Sequence, residues 1–491
     1  MKGRTEITIA HRSQRSDALL VGVEVAKPIG DSLADLDLPA AFIRQAQAVF
    51  GTATLSEVGQ RRSGSSTPAV RCVTCLALAE KSDAQEVHRW VRSAIREAER
   101  QGALQLALAV PSSLVADPES RGRFLRAVGQ EVYRFDEYRQ RPRGQGGLRH
   151  VAVVPHRGQR RVWEQTLAAE MPVLRGAWTM RDLANTPPNR ATPAWMAGRC
   201  KALADELGAR CQILAPPQLR RRGMSGLLAV GSGSPQPPRM VRIEFGKAGP
   251  VVALVGKGVT FDTGGISIKP SAGMEDMVYD KSGACLVLGV VRAVAELRLP
   301  VRLRAYLPFA ENMPDGSAYR PGDILRFANG KTVEINNTDA EGRLILADAL
   351  TWAAAERPDH IVEFSTLTGA CVVALGHHLA GLFTPDDDLA TALLEAARSS
   401  GEGLWRLPLG ASFLAEMKGT HADLKNSGGR WGGASTAAAF LSQFVGNSRS
   451  WAHVDIAGPA SGGHEAPGPK GSTGYGVGWV VTWLRALSRK A

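Results

Sequence analysis

The sequence predicts an α/β protein of two domains: a smaller N-terminal α/β domain and a larger C-terminal domain with a mainly parallel or mixed sheet flanked by helices. Three observations carry that expectation. At 491 residues the chain is longer than one hydrophobic core usually organises. Short apolar runs alternate with helix-periodic stretches in both halves, the rhythm of strands joined through helices. A long helical pattern stops at Thr186-Pro187-Pro188-Asn189, where a fresh helix start follows.

In order along the chain, strand-like runs lie at Leu19 to Val25, Val73 to Leu78, Leu104 to Val110 and Val151 to Val154, with a helix-like stretch at Asp83 to Glu99. These place the N-terminal domain at 1–160. The helical pattern from Gln159 to Asn185 makes 161–190 a linking helix and junction, and 191–491 the second domain. There, Val251-Val252-Ala253-Leu254-Val255 is a continuous apolar run suited to a strand buried on both faces. Further runs follow at Val301 to Pro308, Thr332 to Ile335, His360 to Phe364 and Trp451 to Ile456. Helical stretches separate them at Ser282 to Leu297, Arg343 to Ala355 and Ser435 to Phe444. Gly458 to Gly476, rich in Gly, Pro and Ser, reads as a loop near the functional site, because a helix follows it.

Composition narrows the class. No run of about 18 apolar residues suggests a membrane span, and Met1 to Ala10 lacks a signal-peptide apolar core. Of six cysteines only Cys72 and Cys75 are close-set, with no second pair to complete a zinc site, so reduced thiols in a cytoplasmic protein are expected. The net charge of +12 permits nucleic-acid binding. The densest basic segments, Arg220-Arg221-Arg222 and Arg139 to Arg161, nevertheless lack interleaved aromatics, which favours a solvated surface.

Three segments carry chemistry, each expected just after a strand: Gly256 to Lys269, Tyr279-Asp280, and Asn336 to Leu344. Open α/β sheets bind ligands at the carboxyl ends of their strands, so the three can converge on one crevice. Asp262, Asp280, Asp339 and Glu341 would then share a low-dielectric pocket, which cations must compensate. Two divalent metals balance them, as in hydrolytic two-metal sites. Lys257, Lys269 and Arg343 remain as a ligand or as transition-state stabilisers.

Simpler motifs do not account for these segments. Asp262-Thr263-Gly264 has the form of an aspartic-protease signature, but no second such triplet exists to share a proton. Gly256-Lys257 fails the phosphate-loop pattern at Val251 and Gly258. His377 and His378, taken as strand neighbours, face opposite ways and suit a structural role. Asp280 is also placed to cap the helix after it, and Arg343 to begin a solvated one.

The strings Gly256-Lys257-Gly258-Val259-Thr260-Phe261-Asp262-Thr263-Gly264-Gly265-Ile266-Ser267-Ile268-Lys269 and Asn337-Thr338-Asp339-Ala340-Glu341-Gly342-Arg343-Leu344 resemble the leucyl aminopeptidase family, also called cytosol aminopeptidases, in its bacterial aminopeptidase A branch. Further matches are Arg181 to Asn185, Thr366 to Ala370, Leu407 to Gly410 and Trp451 to Gly458, so the resemblance runs from Arg181 to the C-terminus. It implies an N-terminal α/β domain, a catalytic domain with a mixed sheet, and a hexamer of two trimers. It implies hydrolysis of the N-terminal bond of peptides through a water bridging two metals. Lys257, Asp262, Asp280, Asp339 and Glu341 match the family's metal ligands, Asp262 and Glu341 contacting both ions. Lys269 matches the residue that polarises the scissile carbonyl, and Arg343 the one that holds a bicarbonate general base. Oxygen ligands with one amine fit Mn2+, Zn2+ or Mg2+.

Met277, Thr366, Gly369 and Ala460 match the first specificity pocket, and small Ala460 suggests Leu-type preference. Some bacterial relatives also act on DNA, which leaves a DNA-binding accessory role as the alternative. Two departures stand out. Lys281 follows Asp280 where relatives carry an uncharged residue, which places an extra cation beside the metal site. Gly462 to Lys470 has no counterpart in the family.

Overall fold

A computed structural model describes residues 5–10, 16–24, 36, 61–64, 70–78, 84–109, 115–140, 148–448, 450–462 and 470–489. Contacts divide the chain into units Met1–Leu174 and Arg175–Ala491. The first contains β1 (Glu6–Ile9), β2 (Ser16–Glu24), β3 (Arg61–Gly64), β4 (Val70–Leu78), α1 (Ala84–Arg100), β5 (Gln105–Ala109), α2 (Pro118–Glu131) and β6 (His150–Val153). Its sheet runs β1-β6-β5-β2-β4-β3, parallel except where β3 pairs β4. Helix α2 starts where Asp117 accepts the Ser120 N–H and Pro118 supplies a first-turn residue with no amide hydrogen to satisfy. Helix α3 (Arg160–Asn185) spans the division and ends at the expected Thr186-Pro187 stop.

The second unit begins with α4 (Pro193–Glu206), β7 (Arg210–Leu214), β8 (Arg239–Phe245), β9 (Val251–Gly256) and β10 (Gly258–Asp262). Then come α5 (Ser282–Leu297), β11 (Arg302–Asn312), β12 (Ile324–Arg326), β13 (Thr332–Glu334), α6 (Gly342–Ala355) and β14 (His360–Ser365). After these lie α7 (Gly369–Leu375), β15 (Leu379–Phe383), α8 (Asp387–Ser400), β16 (Gly403–Arg406), β17 (Leu424–Lys425) and α9 (Gly433–Leu441). The unit closes with β18 (Trp451–Asp455), β19 (Ser461–Gly462), β20 (Gly471–Ser472) and α10 (Val477–Ser488).

The large sheet is ordered β16-β15-β18-β14-β9-β11-β8-β7, with β10 also pairing β11. Strands β18, β14, β9 and β11 are mutually parallel, while β15 and β8 join antiparallel on either side. The sheet is therefore mixed, as expected. Strand β9 is buried along its whole length because both faces are covered. Ala253 and Val255 share a core with Leu344, Ile345 and Leu350 of α6. Alternation turns Val252 and Leu254 to the other face, and α5, which also packs on β9, is buried from Ser282 to Val294.

Three local expectations change. Thr332 to Glu334 joins a separate sheet, β12-β13-β17, not the main one. Asp280 follows a 3-10 turn, Met274–Tyr279, and not a strand. His377 and His378 lie in the turn between α7 and β15, so strand alternation does not govern them. Most of the 462–470 segment falls outside the described residues. No helix among the described residues is long and apolar enough to cross a membrane.

Candidate metal centre

Lys257 leaves the carboxyl end of β9 with its backbone fixed on both sides: its N–H donates to Phe364 O at 3.0 Å and its C=O accepts from Ala284 N at 2.8 Å. The side chain passes the first residue of α6. A Cβ on Gly342 would lie 2.6 Å from Lys257 Cε, so any side chain there would require the lysine to shift. Beyond it, Lys257 Nζ lies 2.7 Å from Asp280 Oδ1 and 2.8 Å from Glu341 Oε1, and donates to Thr366 O at 3.1 Å.

Asp262 ends β10. Its Oδ1 accepts from Gly264 N at 2.9 Å and from Asn312 Nδ2 at 2.8 Å, and its Oδ2 lies 2.8 Å from Lys269 Nζ. The turn that brings Lys269 back over the site needs positive φ at Gly264 (86°) and Gly265 (67°). Lys269 also pairs with Asp339 Oδ1. Asp280 makes no capping bond to α5. Its Oδ1 instead accepts from Thr366 Oγ1 at 2.8 Å. Glu341 stands at the N-cap of α6 without a side-chain capping bond. The ordinary explanation of these acids as helix caps therefore fails.

Four carboxylates thus face two ammonium groups in a largely buried volume. Burial, reinforced by the Glu341 and Asp262 charges, pushes Asp280 well above its ordinary pKa despite Lys257. Burial likewise raises Asp339 to about 6 against the pull of Lys269. Burial alone would lower Lys257 and Lys269, but the surrounding carboxylates outweigh it and hold both above their usual values. Oxygens of Asp262, Asp280 and Glu341 come within 4.8 Å of one another, all on buried residues. Asp280 Oδ2 has no hydrogen-bond partner among the described residues. An orphaned buried carboxylate oxygen costs about 1–3 kcal/mol or more, so this donor set fits divalent cations.

The comparisons with known proteins agree. Residues 178–481 match the catalytic domain of the cytosol aminopeptidase family. The chain belongs to that family. It is a metallo-aminopeptidase, a hydrolase. A probable cytosol aminopeptidase of Methylobacillus flagellatus is 38% identical over 97% of this chain and 98% of its own length. One from Geobacter sulfurreducens is 40% identical over 96% of this chain and 97% of its own. Among solved structures, the bottromycin maturation enzyme BotP in complex with Mn is similar, with 36% identity, a TM-score of 0.81, and coverage of 96% of this chain and 99% of that one.

The other expected residues of this cytosol aminopeptidase sit as follows. Arg343 is buried at 7% exposure rather than starting a solvated helix. Its Nη1 donates to Asn426 O at 2.8 Å, and its Nε has no partner among the described residues. Burial lowers its pKa to about 10, while Glu341 and Asp455 act in the opposite sense. Thr366 belongs to the ion network; Met277 is half-buried, Gly369 exposed and Ala460 completely buried.

Lys281 departs from its expected role. It is fully buried and donates to Thr186 O at 3.0 Å and Val278 O at 2.5 Å, with no ion pair to the acids. Burial lowers its pKa to about 8, although Cys285 and Asp280 oppose this.

Asn312 and Asn426 stand outside every motif read in the sequence, and Asp455 enters only within the Trp451 to Gly458 match, with no role attached. Asn312 Nδ2 ties Asp262 to Thr338 O, the latter at 3.1 Å. Asp455 Oδ2 accepts from the Thr368 N–H and hydroxyl, and its Oδ1 from Leu367 N at 3.1 Å, which fixes the loop that carries Thr366. Each acts across a long stretch of chain, where no local pattern signals it.

Proposed function

We propose that this enzyme removes single residues, with Leu-type preference, from the N-termini of peptides at a two-ion centre held by Lys257, Asp262, Asp280, Asp339 and Glu341. The observation that carries the reading is the buried trio Asp262, Asp280 and Glu341 within 4.8 Å, with the Lys257 amine between two of them. When bound, Mn2+ or Zn2+ supplies Lewis acidity and a water nucleophile at neutral pH.

The chain's own groups do the rest. Lys257 would join the ligand set as a neutral amine, its proton lost, and the charges of Asp280 and Glu341 would then be balanced by bound cations instead of by its ammonium. Lys269 has 20% side-chain exposure, enough to reach a substrate, and its ammonium donates to the scissile carbonyl oxygen as charge develops there. Arg343 is fixed through Nη1, which leaves Nε to hold an anion such as bicarbonate as general base. A free substrate α-amine as an ion ligand restricts cleavage to the first residue.

Hydrolysis of leucine p-nitroanilide by metal-stripped protein, before and after Mn2+ or Zn2+ addition, tests the reading. Activity that returns only with the ion, and with leucine favoured over glycine or acidic residues, supports it. Full activity without ion removes it.

A further inference from the structure

We propose that Asn426 is a positioning residue that fixes the segment carrying Asp339, Glu341 and Arg343 of the centre. The inference rests on the ion-binding reading above. Asn426 follows β17 and is completely buried. Its N–H donates to Glu334 O at 3.0 Å, which fixes it to the end of β13. Its side chain then stitches down the irregular segment that delivers Asp339 and Glu341. Oδ1 accepts from Asn336 N at 2.9 Å and Asn337 N at 3.3 Å, and Nδ2 donates to Asn337 O at 2.6 Å and Ala340 O at 3.4 Å. Its main-chain oxygen accepts from Arg343 Nη1 at 2.8 Å. One residue thus touches the acid-bearing segment through its carboxamide and Arg343 through its backbone.

The chemistry of the side chain is specific. A flipped amide would set its NH2 against two N–H donors and its oxygen against two carbonyls, so four backbone partners define a single orientation. Aspartate keeps the shape but turns a carboxylate oxygen towards Asn337 O and Ala340 O, and adds negative charge near a site already rich in it. Serine is too short to bridge the segment. Between Glu334 and Gly342 no strand or helix holds the backbone, so side-chain bonds set where Asp339 and Glu341 stand: those of Asn426 along 336–340, and those of Asn312, Tyr319 and Ser267 at Thr338. Polar partners of this kind around metal ligands typically change affinity by about 10–100-fold when removed.

The test titrates the metal-stripped full chain with Mn2+ by calorimetry, for the native protein, Asn426→Asp and Asn426→Ser, alongside thermal melts with and without Mn2+. Affinity is expected to fall about 10–100-fold, and the Mn2+-induced rise in Tm to shrink. A purely structural role would instead lower the apo Tm and leave that rise intact. Folded variants that bind Mn2+ within about twofold of the native chain would overturn the proposal, since the loss expected for such partners is at least tenfold.

Should both variants fail to fold, amide exchange in the native chain decides. Exchange at Asn336 and Asn337 should slow on Mn2+ addition, and unchanged rates refute the proposal. A native chain that takes up no Mn2+ refutes the ion-binding reading itself, and the proposal with it, a result distinct from equal binding by native and variant.

Discussion

Replacing Gly342 by alanine tests whether Lys257 must pass the first turn of α6 to enter the acid cluster. A Cβ there would lie 2.6 Å from Lys257 Cε and 2.8 Å from Nζ, while ordinary contact begins at 3.4 Å, so the lysine must retreat by about 0.8 Å. It is not free to do so. Its amine is held by Asp280 at 2.7 Å, Glu341 at 2.8 Å and Thr366 O at 3.1 Å. In the metal-free protein, losing two hydrogen bonds to charged partners forfeits roughly 3–6 kcal/mol gross, against a gain of about 0.5–1 kcal/mol from alanine in a helix.

With Mn2+ bound the loss is one of ligand placement: a Lys257 amine displaced by about 0.8 Å corresponds to about a 100-fold fall in kcat/KM. The control is Gly198→Ala in α4, where a Cβ meets nothing within 4 Å and the same exchange should leave activity unchanged and raise Tm slightly. Leucine p-nitroanilide hydrolysis in excess Mn2+ reads both. A Gly342→Ala enzyme within about threefold of native would refute the argument, because the clash would then have been absorbed at under ~1 kcal/mol.

Two further outcomes follow from the same contacts. Thr366→Val removes the hydroxyl that donates to Asp280 Oδ1 at 2.8 Å, which should weaken Mn2+ binding about fivefold, equivalent to ~1 kcal/mol, with Thr366→Ser restoring it; calorimetry decides. Glu356 accepts from Arg242 at 2.7 Å, and although burial opposes it, that bond holds the carboxyl below its ordinary 4.5. Because the folded value is the lower one, its contribution is full above pH 4.5 and fades as pH falls through the folded value. Urea unfolding of Glu356→Gln should show a deficit of about 1 kcal/mol at pH 7 that vanishes at low pH, and a deficit independent of pH would contradict the assignment.

The elements that the sequence made legible are those whose burial is uniform. Val251 to Val255 and Ser282 to Leu297 are apolar because the sheet centre and the helix on it are covered, and both were readable with near-correct ends. Arg210–Leu214 was not, because it is an edge strand with four of its five residues at least partly exposed and no clean alternation. The acids and lysines of the centre were legible because charge beside glycine and apolar runs has few structural explanations. Asn426 was not, since its side-chain partners lie 86 to 90 residues away and an asparagine between Lys425 and Ser427 reads as ordinary loop. For Lys281 sequence adjacency to Asp280 says nothing about direction: the side chain turns to Thr186 O and Val278 O, while the Asp280 charge still acts on it.

The measurement that bears most directly on the two-ion centre is anomalous diffraction at the manganese edge from crystals of the Mn2+-loaded enzyme. Two peaks should lie among Lys257 Nζ and the carboxylates of Asp262, Asp280, Asp339 and Glu341. An absence of density there, with the Lys257 ammonium still paired to Asp280 and Glu341 in an active crystal, would contradict the account.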